Sequence, residues 1–195
     1  MNVGSSDAFF REHVQPWISD EILLPLQKRG ARIANLDFRT GEGIDLHGDL
    51  TDEAFMSGLR EHGFRSLLCC NLLEHVTDRE GICKGLEQLV PKGGCLVITV
   101  PHAFPYHPDP IDTLFRPGVA EIVSLFPNCN LIKGEIVSCG TGWDYVGGSL
   151  SSLVQKVRQR VEGMRDNGGI RGSSSFLPWL FKNFLQTCVI MERQS

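Results

Sequence analysis

The sequence lacks the features that mark membrane, secreted and nucleic-acid-binding proteins. No apolar run approaches the roughly 18–20 residues of a helix that crosses a bilayer, and no basic start with an apolar core predicts a secretory signal. The net charge of -4 and the pI of about 5.9 leave no excess of basic residues for binding nucleic acid. A chain of 195 residues, 42% of them hydrophobic, can instead bury the core of a globular domain.

The cysteines and clustered acids lack the spacing of a metal site. The sequence contains no Cys-x-x-Cys pair and no Cys/His cluster with zinc-site spacing. Seven cysteines, an odd number, lie mostly in apolar segments: Cys69, Cys70, Cys83, Cys95, Cys129, Cys139 and Cys188. Asp45, Asp49 and Asp52 lie within eight residues but do not have the spacing of an EF-hand loop. We therefore expect buried, reduced thiols, a cytoplasmic protein and no bound metal.

The strongest fold signal lies in residues 66–101. Two apolar runs, Ser66–Cys70 and Cys95–Val100, flank an amphipathic segment that a proline and two glycines bring to an end. This is the pattern of two buried parallel strands joined by a helix. Thr77 and Glu80 have the spacing of a capping box, which predicts that the helix begins there. Because open α/β sheets bind ligands at the carboxyl ends of their strands, we expect the function to lie just after the strands.

Two further strand ends carry candidate ligand-binding groups. Gly4-Ser5-Ser6 follows a first strand of only three residues, so we expect either that strand to be frayed or the start of the chain to be trimmed. A turn of small residues can point backbone N–H groups at a ligand, but it can also be a plain turn with Ser6 or Asp7 as a helix N-cap. The predicted second strand, 31–36, ends in Asp37, which can either accept the ribose hydroxyls of a nucleoside or begin a turn.

The proline-rich segment 102–118 is the candidate catalytic loop. It follows a predicted strand and holds four prolines, two histidines and two aspartates. Prolines stiffen a loop, and a stiff loop with titratable groups at a strand end suits catalysis. The histidines and aspartates are His102, His107, Asp109 and Asp112. The alternative is a structural crossover loop whose polar side chains cap backbone groups.

The sequence changes character after a predicted strand at Asn130–Cys139. Glycine-rich pieces flank a predicted helix, Leu150–Arg165, and an apolar stretch, 176–184, comes before a final strand, Leu185–Met191. We interpret 140–182 as an insertion that acts as a lid, a substrate element or a dimer element. The apolar stretch is core, lid or the surface of a homodimer.

Part of the sequence resembles the motifs of one enzyme family. Asn71–Val76 (NLLEHV), followed by Val90–Val100 (VPKGGCLVITV) and Pro101, is similar to the fourth strand end and fifth strand of the Rossmann-like, class I S-adenosylmethionine-dependent methyltransferases. The likeness covers most of residues 1–139 and returns at the last strand, and it is closest to a bacterial group with a degenerate first glycine motif. It implies one three-layer α/β/α domain over residues 1–195. The implied sheet has about seven mostly parallel strands in the order 3-2-1-4-5-7-6, with the last strand antiparallel.

The same resemblance implies S-adenosylmethionine as the cofactor and assigns residues to it. They are Gly4, Ser5 and Ser6 for the methionine part, Asp37 for the ribose hydroxyls, Asp49 and Leu50 for the adenine, and Asn71 and Leu72 for the methionyl end. The usual first turn of the family has three glycines, where this chain has Gly4-Ser5-Ser6. Glu74 and His75 belong to the motif but receive no chemical role, and anchoring of a helix is the alternative for them.

The implied reaction is transfer of a methyl group to an oxygen or nitrogen of a small-molecule or glycan/lipid-linked acceptor. For a hydroxyl acceptor, His102 or His107 would act as the base, with Asp109 or Asp112 as its orienting partner. One alternative is a catalytically weak or inactive protein of the same fold that serves as a binding or scaffold partner. Another is a nicotinamide-dependent enzyme, against which the absence of a G-x-G-x-x-G motif argues.

Overall fold

Seven strands form the sheet in the part of the chain that the structure, a computed structural model, describes, which is residues 1–107, 111–145 and 177–194. The strands are β1 (Asn2–Val3), β2 (Asn35–Asp37), β3 (Leu46–His47), β4 (Ser66–Cys70), β5 (Cys95–Ala103), β6 (Cys129–Thr141) and β7 (Asn183–Arg193). Their order is β3-β2-β1-β4-β5-β7-β6. β1 to β5 run parallel, and β7 runs antiparallel to both β5 and β6. The predicted α/β fold class, strand order and antiparallel last strand are confirmed.

Helices fill most of the connections between the strands. Pro16 and Pro25 lie in the first connection, where the helical segment is divided into four short pieces. The pieces are Phe10–Val14, Pro16–Ile18, Ser19–Leu23 and Leu24–Lys28. The other helices are Glu53–Glu61, Arg79–Leu89 and Val119–Ser124, with short helical turns at Leu73–His75, Gly142–Tyr145 and Leu177–Leu180. None of the described helices combines the length and the apolar composition needed to cross a membrane.

The helix Arg79–Leu89 begins one residue later than the capping-box pattern predicts, because that pattern makes Thr77 the N-cap. Asp78 is its N-cap, and Oδ1 of Asp78 accepts a hydrogen bond of 3.0 Å from the backbone N–H of Gly81. The prediction that Thr77 caps the helix is therefore wrong. The physical reason is that the Asp78 carboxylate satisfies a backbone donor of the first turn that has no partner within the helix.

The centre of the core lies between β4, β5 and the helix Arg79–Leu89. Its fully buried members include Leu67, Cys69, Cys83, Leu86, Val90, Leu96, Ile98 and Val100. A packed core of this kind makes the strands a rigid base for the loops that follow them. The predicted helix Leu150–Arg165 and most of the predicted insertion 140–182 lie outside the described residues.

All seven cysteines are free thiols. Cys69, Cys83 and Cys129 are buried, and burial raises the pKa of the Cys83 and Cys129 thiols to about 12. Cys139 is exposed, so the expectation of buried thiols fails there. The reason is that Cys139 lies on β6, which is an edge strand with mostly exposed side chains.

Candidate active site

A cleft of about 1110 Å³ opens where β1, β2, β4 and β5 end. It is lined by all eight residues that the sequence assigned to a cofactor: Gly4, Ser5, Ser6, Asp37, Asp49, Leu50, Asn71 and Leu72. Residues far apart in the sequence meet here because parallel strands end at the same edge of the sheet. Ligand pockets usually measure about 300–1000 Å³, so this cleft is large enough for a small-molecule ligand.

The turn after β1 has a left-handed backbone at two positions. Gly4 has φ +66° and Ser6 has φ +55°. A Cβ atom at Gly4 would come within 3.2 Å of the Leu72 side chain, so glycine also allows the turn to lie close against the end of β4. Ser6 is held by its surroundings: its N–H donates to Oδ2 of Asp37 at 2.8 Å, and its carbonyl accepts a hydrogen bond from Arg11. The turn is thus fixed by partners outside it.

Asp37 is the buried carboxylate at the end of β2, with 4% of its surface exposed. Oδ2 accepts from the N–H of Ser6, and Oδ1 accepts from the N–H of Arg39 at 3.0 Å. The Arg39 guanidinium Nε lies 3.6 Å from Oδ1. A carboxylate oxygen has two lone pairs, so each oxygen can still accept a hydroxyl of a ligand. Asp37 therefore holds the turn after β1 in place and can still accept hydrogen bonds from a ligand.

Asp49 lines the cleft beside Leu50, just after Gly48, whose N–H donates to the backbone carbonyl of Asp37 at 3.2 Å. Oδ1 of Asp49 accepts hydrogen bonds from the N–H and the hydroxyl of Thr51, at 2.8 and 2.7 Å. These bonds lower the pKa of Asp49 below its ordinary value. The site therefore presents an ionised carboxylate next to an apolar side chain.

Asn71 begins the loop after β4 with a left-handed backbone, φ +53°. Its N–H donates to the carbonyl of Thr99 on β5 at 2.9 Å, and its side-chain Oδ1 accepts a hydrogen bond from Gln186 on β7. Gln186 lines the cleft and was missed by sequence reasoning. It reaches the cleft because antiparallel pairing sets it opposite Pro101, a long-range contact that the sequence does not signal.

The polar end of the cleft contains Glu74, whose side chain is completely buried. Neither carboxylate oxygen has a hydrogen-bond partner among the described residues. Burial raises the pKa of Glu74 to about 7. The available sequence signal was a charged residue inside the otherwise apolar run NLLEHV, but nothing in the sequence shows that the residue would be unpaired.

Two histidines face Glu74 through the same ring atom. Nε2 of His75 lies 3.8 Å from Oε1 of Glu74, and Nε2 of His107 lies 3.9 Å from the same oxygen. The two rings stand at 90° with their centroids 5.1 Å apart. Burial lowers the pKa of His107, which favours a neutral ring there.

The other ring nitrogens of these histidines contact acceptors. Nδ1 of His75 contacts the carbonyl oxygen of Ile111. Nδ1 of His107 lies 3.1 Å from the carbonyl oxygen of Pro105 and 3.1 Å from Oδ2 of Asp112. Because these partners can only accept, each Nδ1 carries the hydrogen, and each Nε2 of a neutral ring presents a lone pair.

Asp112 supports His107 from outside the cleft. Its side chain is buried, and its two oxygens accept hydrogen bonds of 3.1 and 2.7 Å from Arg116. Burial by itself would raise the pKa of Asp112, but the hydrogen bonds from Arg116 and from the N–H groups of His107 and Leu114 outweigh it and lower the pKa to about 2. A fixed negative charge thus lies beside Nδ1 of His107.

Of the two remaining catalytic candidates, His102 belongs to the described part of the chain. His102 is not among the residues that line the cleft, and Nδ1 of His102 lies 3.0 Å from the carbonyl oxygen of Pro117. Asp109 lies outside the described residues. Of the four candidates, His107 lines the cleft and Asp112 contacts His107.

Comparison with known proteins identifies the fold. No protein-family model matches the sequence, and no curated protein does. A SAM-dependent methyltransferase from Archaeoglobus fulgidus matches with a TM-score of 0.55 and 9% identity, over 98% of this chain and 84% of that chain. A SAM-dependent methyltransferase from Anabaena variabilis matches with a TM-score of 0.54 and 10% identity, over 99% and 76%. The chain therefore has the class I SAM-dependent methyltransferase fold.

The same fold also occurs in a protein with another activity. The (4+2)-cyclase SpnF matches with a TM-score of 0.51 and 10% identity, over 88% of this chain and 60% of that chain. At such identities a structural likeness speaks for the fold alone, because one fold can host several chemistries. The residues of the cleft, and not the fold, therefore indicate the reaction.

Proposed function

We propose that the protein is an S-adenosylmethionine-dependent methyltransferase that acts on an oxygen or nitrogen of a small-molecule or glycan/lipid-linked acceptor. One observation carries the proposal: the ends of β1, β2 and β4 converge on a single cleft in a chain with the class I methyltransferase fold. In an open α/β sheet this edge is where ligands bind.

The residues that would hold the cofactor fit its parts. The turn Gly4-Ser5-Ser6 would lie against the methionine part, and the spare lone pairs of Asp37 would accept the ribose hydroxyls. Leu50 gives an apolar wall for the adenine, and Asn71 would contact the methionyl end. When bound, S-adenosylmethionine supplies a methyl group on a positively charged sulfonium. The task of the chain is to align that group with the acceptor, which is worth about 7–11 kcal/mol of a reaction barrier.

The acceptor would bind at the polar end of the cleft, beside His107. Nε2 of His107 can take a proton from a hydroxyl or ammonium group, since Nδ1 carries the hydrogen. Asp112 holds the ring in that tautomer and would stabilise the cation that forms. Alignment and a positioned base together account for methyl transfer without further protein chemistry.

In the same proposal the chain is a single domain, 1–195, and the insertion 140–182 shapes its acceptor pocket. Its two described ends meet, because a Cβ atom at Gly142 would lie 2.7 Å from the carbonyl oxygen of Trp179. Trp179 stacks on Phe184, and Phe184 contacts Phe104, with ring centroids 5.7 and 4.9 Å apart. Phe104 and Phe184 line the cleft, so the two described ends of the insertion lie beside it.

Calorimetry with S-adenosylhomocysteine, the product of the cofactor, tests the proposal directly. We expect stoichiometric binding and a raised melting temperature with this ligand and neither effect with NAD. The Asp37→Asn variant should bind about tenfold or more weakly, because a hydrogen bond to a charged group is worth about 1.5–3 kcal/mol. The Asp20→Asn variant changes an exposed carboxylate away from the cleft and should bind like the wild type.

The alternative is a non-catalytic binding or scaffold protein of the same fold. Ser6 favours it, because a side chain stands where the family has glycine and where the backbone is left-handed. Absence of heat and of a melting shift with S-adenosylhomocysteine would favour this alternative over an enzyme.

A further inference from the structure

Glu74, His75 and His107 bring three electron-pair donors together at one side of the cleft. The Glu74 side chain is completely buried, and its oxygens have no hydrogen-bond partner among the described residues. A ligand atom from each residue lies within 4.8 Å of the other two. The separations from Oε1 to the two Nε2 atoms, 3.8 and 3.9 Å, are too long for hydrogen bonds.

The second ring nitrogens are already engaged, as they are in metal-bound histidines. Such histidines almost always donate their other N–H to a carbonyl or a carboxylate, which fixes the tautomer and the direction of the lone pair. His75 does so towards the carbonyl of Ile111, and His107 does so towards Pro105 and Asp112. The supporting contacts of a metal site are therefore present, and both Nε2 atoms lie within 4 Å of the carboxylate.

We infer that Oε1 of Glu74 and the Nε2 atoms of His75 and His107 form a binding site for a divalent transition-metal ion of the zinc type. Two imidazoles and one carboxylate are the ligand set of open, catalytic zinc sites. A cation there would supply the partner that the buried carboxylate lacks. The inference rests on these contacts and does not depend on methyl transfer.

The distances suit an ion with short bonds. Around a tetrahedral zinc ion with bonds of about 2.1 Å, ligand atoms lie roughly 3.4 Å apart. The separations of 3.8 and 3.9 Å from Oε1 exceed that by about 0.4–0.5 Å, and the third separation is within 4.8 Å, so the side chains would turn inward around a bound ion. Calcium and magnesium prefer sets of oxygen ligands, so two imidazole nitrogens favour a transition metal.

The site opens towards the acceptor. All three residues line the cleft, so a fourth coordination position can be reached from it. In the metal-bound protein, the Nε2 lone pair of His107 is engaged as a ligand, and the acceptor oxygen or a water molecule would take the open position. His107 then acts through the ion, which favours the deprotonated form of a bound hydroxyl.

Zinc binding to the full chain tests the inference. The protein is stripped with a chelator, and zinc is then titrated by calorimetry and counted by mass spectrometry after desalting. Because the seven free cysteines can also bind zinc, a parallel titration with Co²⁺ reads the ligand type. We expect one equivalent with a nitrogen/oxygen spectrum and without the charge-transfer band of thiolate ligands.

Isosteric and matched variants separate a metal ligand from a structural residue. Glu74→Gln and His107→Ala should each weaken zinc binding by more than the roughly 10–100-fold that loss of an outer contact costs. His102→Ala should bind zinc like the wild type, because His102 also contacts a backbone carbonyl through Nδ1 but does not line the cleft. Circular dichroism shows whether each variant is folded, and Glu74→Gln removes only a charge.

Two results would overturn the inference. One is a wild-type protein that retains no zinc above the background of the cysteines. The other is undiminished stoichiometric binding in folded Glu74→Gln and His107→Ala. Neither result bears on the binding of S-adenosylhomocysteine, so failure of the metal site is distinguishable from failure of the proposed function.

Discussion

The backbone N–H of Ser6 donates a hydrogen bond of 2.8 Å to Oδ2 of Asp37, across 31 residues of sequence. This bond ties the turn after β1 to the end of β2, the two strand ends that would hold the cofactor. Ser6 has φ +55°, a conformation that costs a residue with a Cβ atom about 1–2 kcal/mol. The turn is therefore maintained by its contacts with Asp37 and Arg11 against its own conformational preference.

Replacing Ser6 with glycine should stabilise the protein. Glycine adopts a positive φ without strain, and the backbone bond to Asp37 is kept, so the free energy of unfolding should rise by up to about 1 kcal/mol. Ser5→Gly is the matched control: Ser5 has no positive φ, its hydroxyl donates to the carbonyl of Ser6, and the change should cost about 0.5–1 kcal/mol. Urea unfolding curves measure both. Equal losses of unfolding free energy in the two variants would show that the backbone of Ser6 is not strained.

Replacing Gly4 with alanine should weaken cofactor binding, in addition to lowering the free energy of unfolding. Gly4 and Gly63 have φ +66° and +64°, so both substitutions should cost about 1 kcal/mol of unfolding free energy. Only at Gly4 does the new Cβ meet a neighbour, the Leu72 side chain at 3.2 Å. Because Leu72 lines the cleft, Gly4→Ala should weaken S-adenosylhomocysteine binding in calorimetry, whereas Gly63→Ala should not. If Gly4→Ala and Gly63→Ala bound S-adenosylhomocysteine equally well, Leu72 would not belong to the cofactor site.

Removing the charge of Glu74 should stabilise the metal-free protein at alkaline pH. Burial raises the pKa of Glu74 from 4.5 to about 7, so the unfolded chain loses this proton more readily than the folded one. The contribution of Glu74 to the free energy of unfolding is therefore fully present below pH 4.5 and falls as the pH rises to about 7, by up to about 3 kcal/mol.

The Glu74→Gln variant remains neutral and should show none of this pH dependence. With a chelator present, urea unfolding should give similar stabilities for wild type and variant at pH 5, and a more stable variant at pH 8. Glu61→Gln changes an exposed carboxylate and should leave the wild-type profile unaltered. A difference between wild type and Glu74→Gln that is the same at both pH values would show that the carboxylate is not destabilised by burial.

Substitution of His102, on β5, and of His107, in the loop that follows, should have unequal effects on turnover. Release of S-adenosylhomocysteine in the presence of a panel of hydroxyl and amine compounds detects transfer to whichever compound accepts the methyl group. With an acceptor found in this way and the cofactor at saturation, His107→Ala should lower the rate by about 100-fold or more, the usual effect of losing a positioned acid–base group. His102→Ala should stay within a few-fold of the wild type, since His102 does not line the cleft. Unchanged rates in both variants would remove the histidines from the mechanism.

The amino-acid sequence by itself determined the sheet and the position of the cleft. Apolar runs such as Ser66–Cys70 and Cys95–Val100 are read from local periodicity and turn residues, and parallel strands bring their ends together wherever such runs alternate with helices. The cofactor assignments came from the resemblance to the methyltransferase family, and the structure brings the assigned residues to one cleft.

Only the tertiary structure decided which groups at the end of the cleft face one another. The sequence predicts both His102 and His107 in the loop, yet β5 extends to Ala103 and includes His102, so that only His107 lies in the loop and reaches Glu74, 33 residues before it in the sequence. The same holds for Glu74. Its position in NLLEHV is visible in the sequence, but its complete burial beside two histidines and without a hydrogen-bond partner among the described residues follows from packing between β4 and the distant loop after β5.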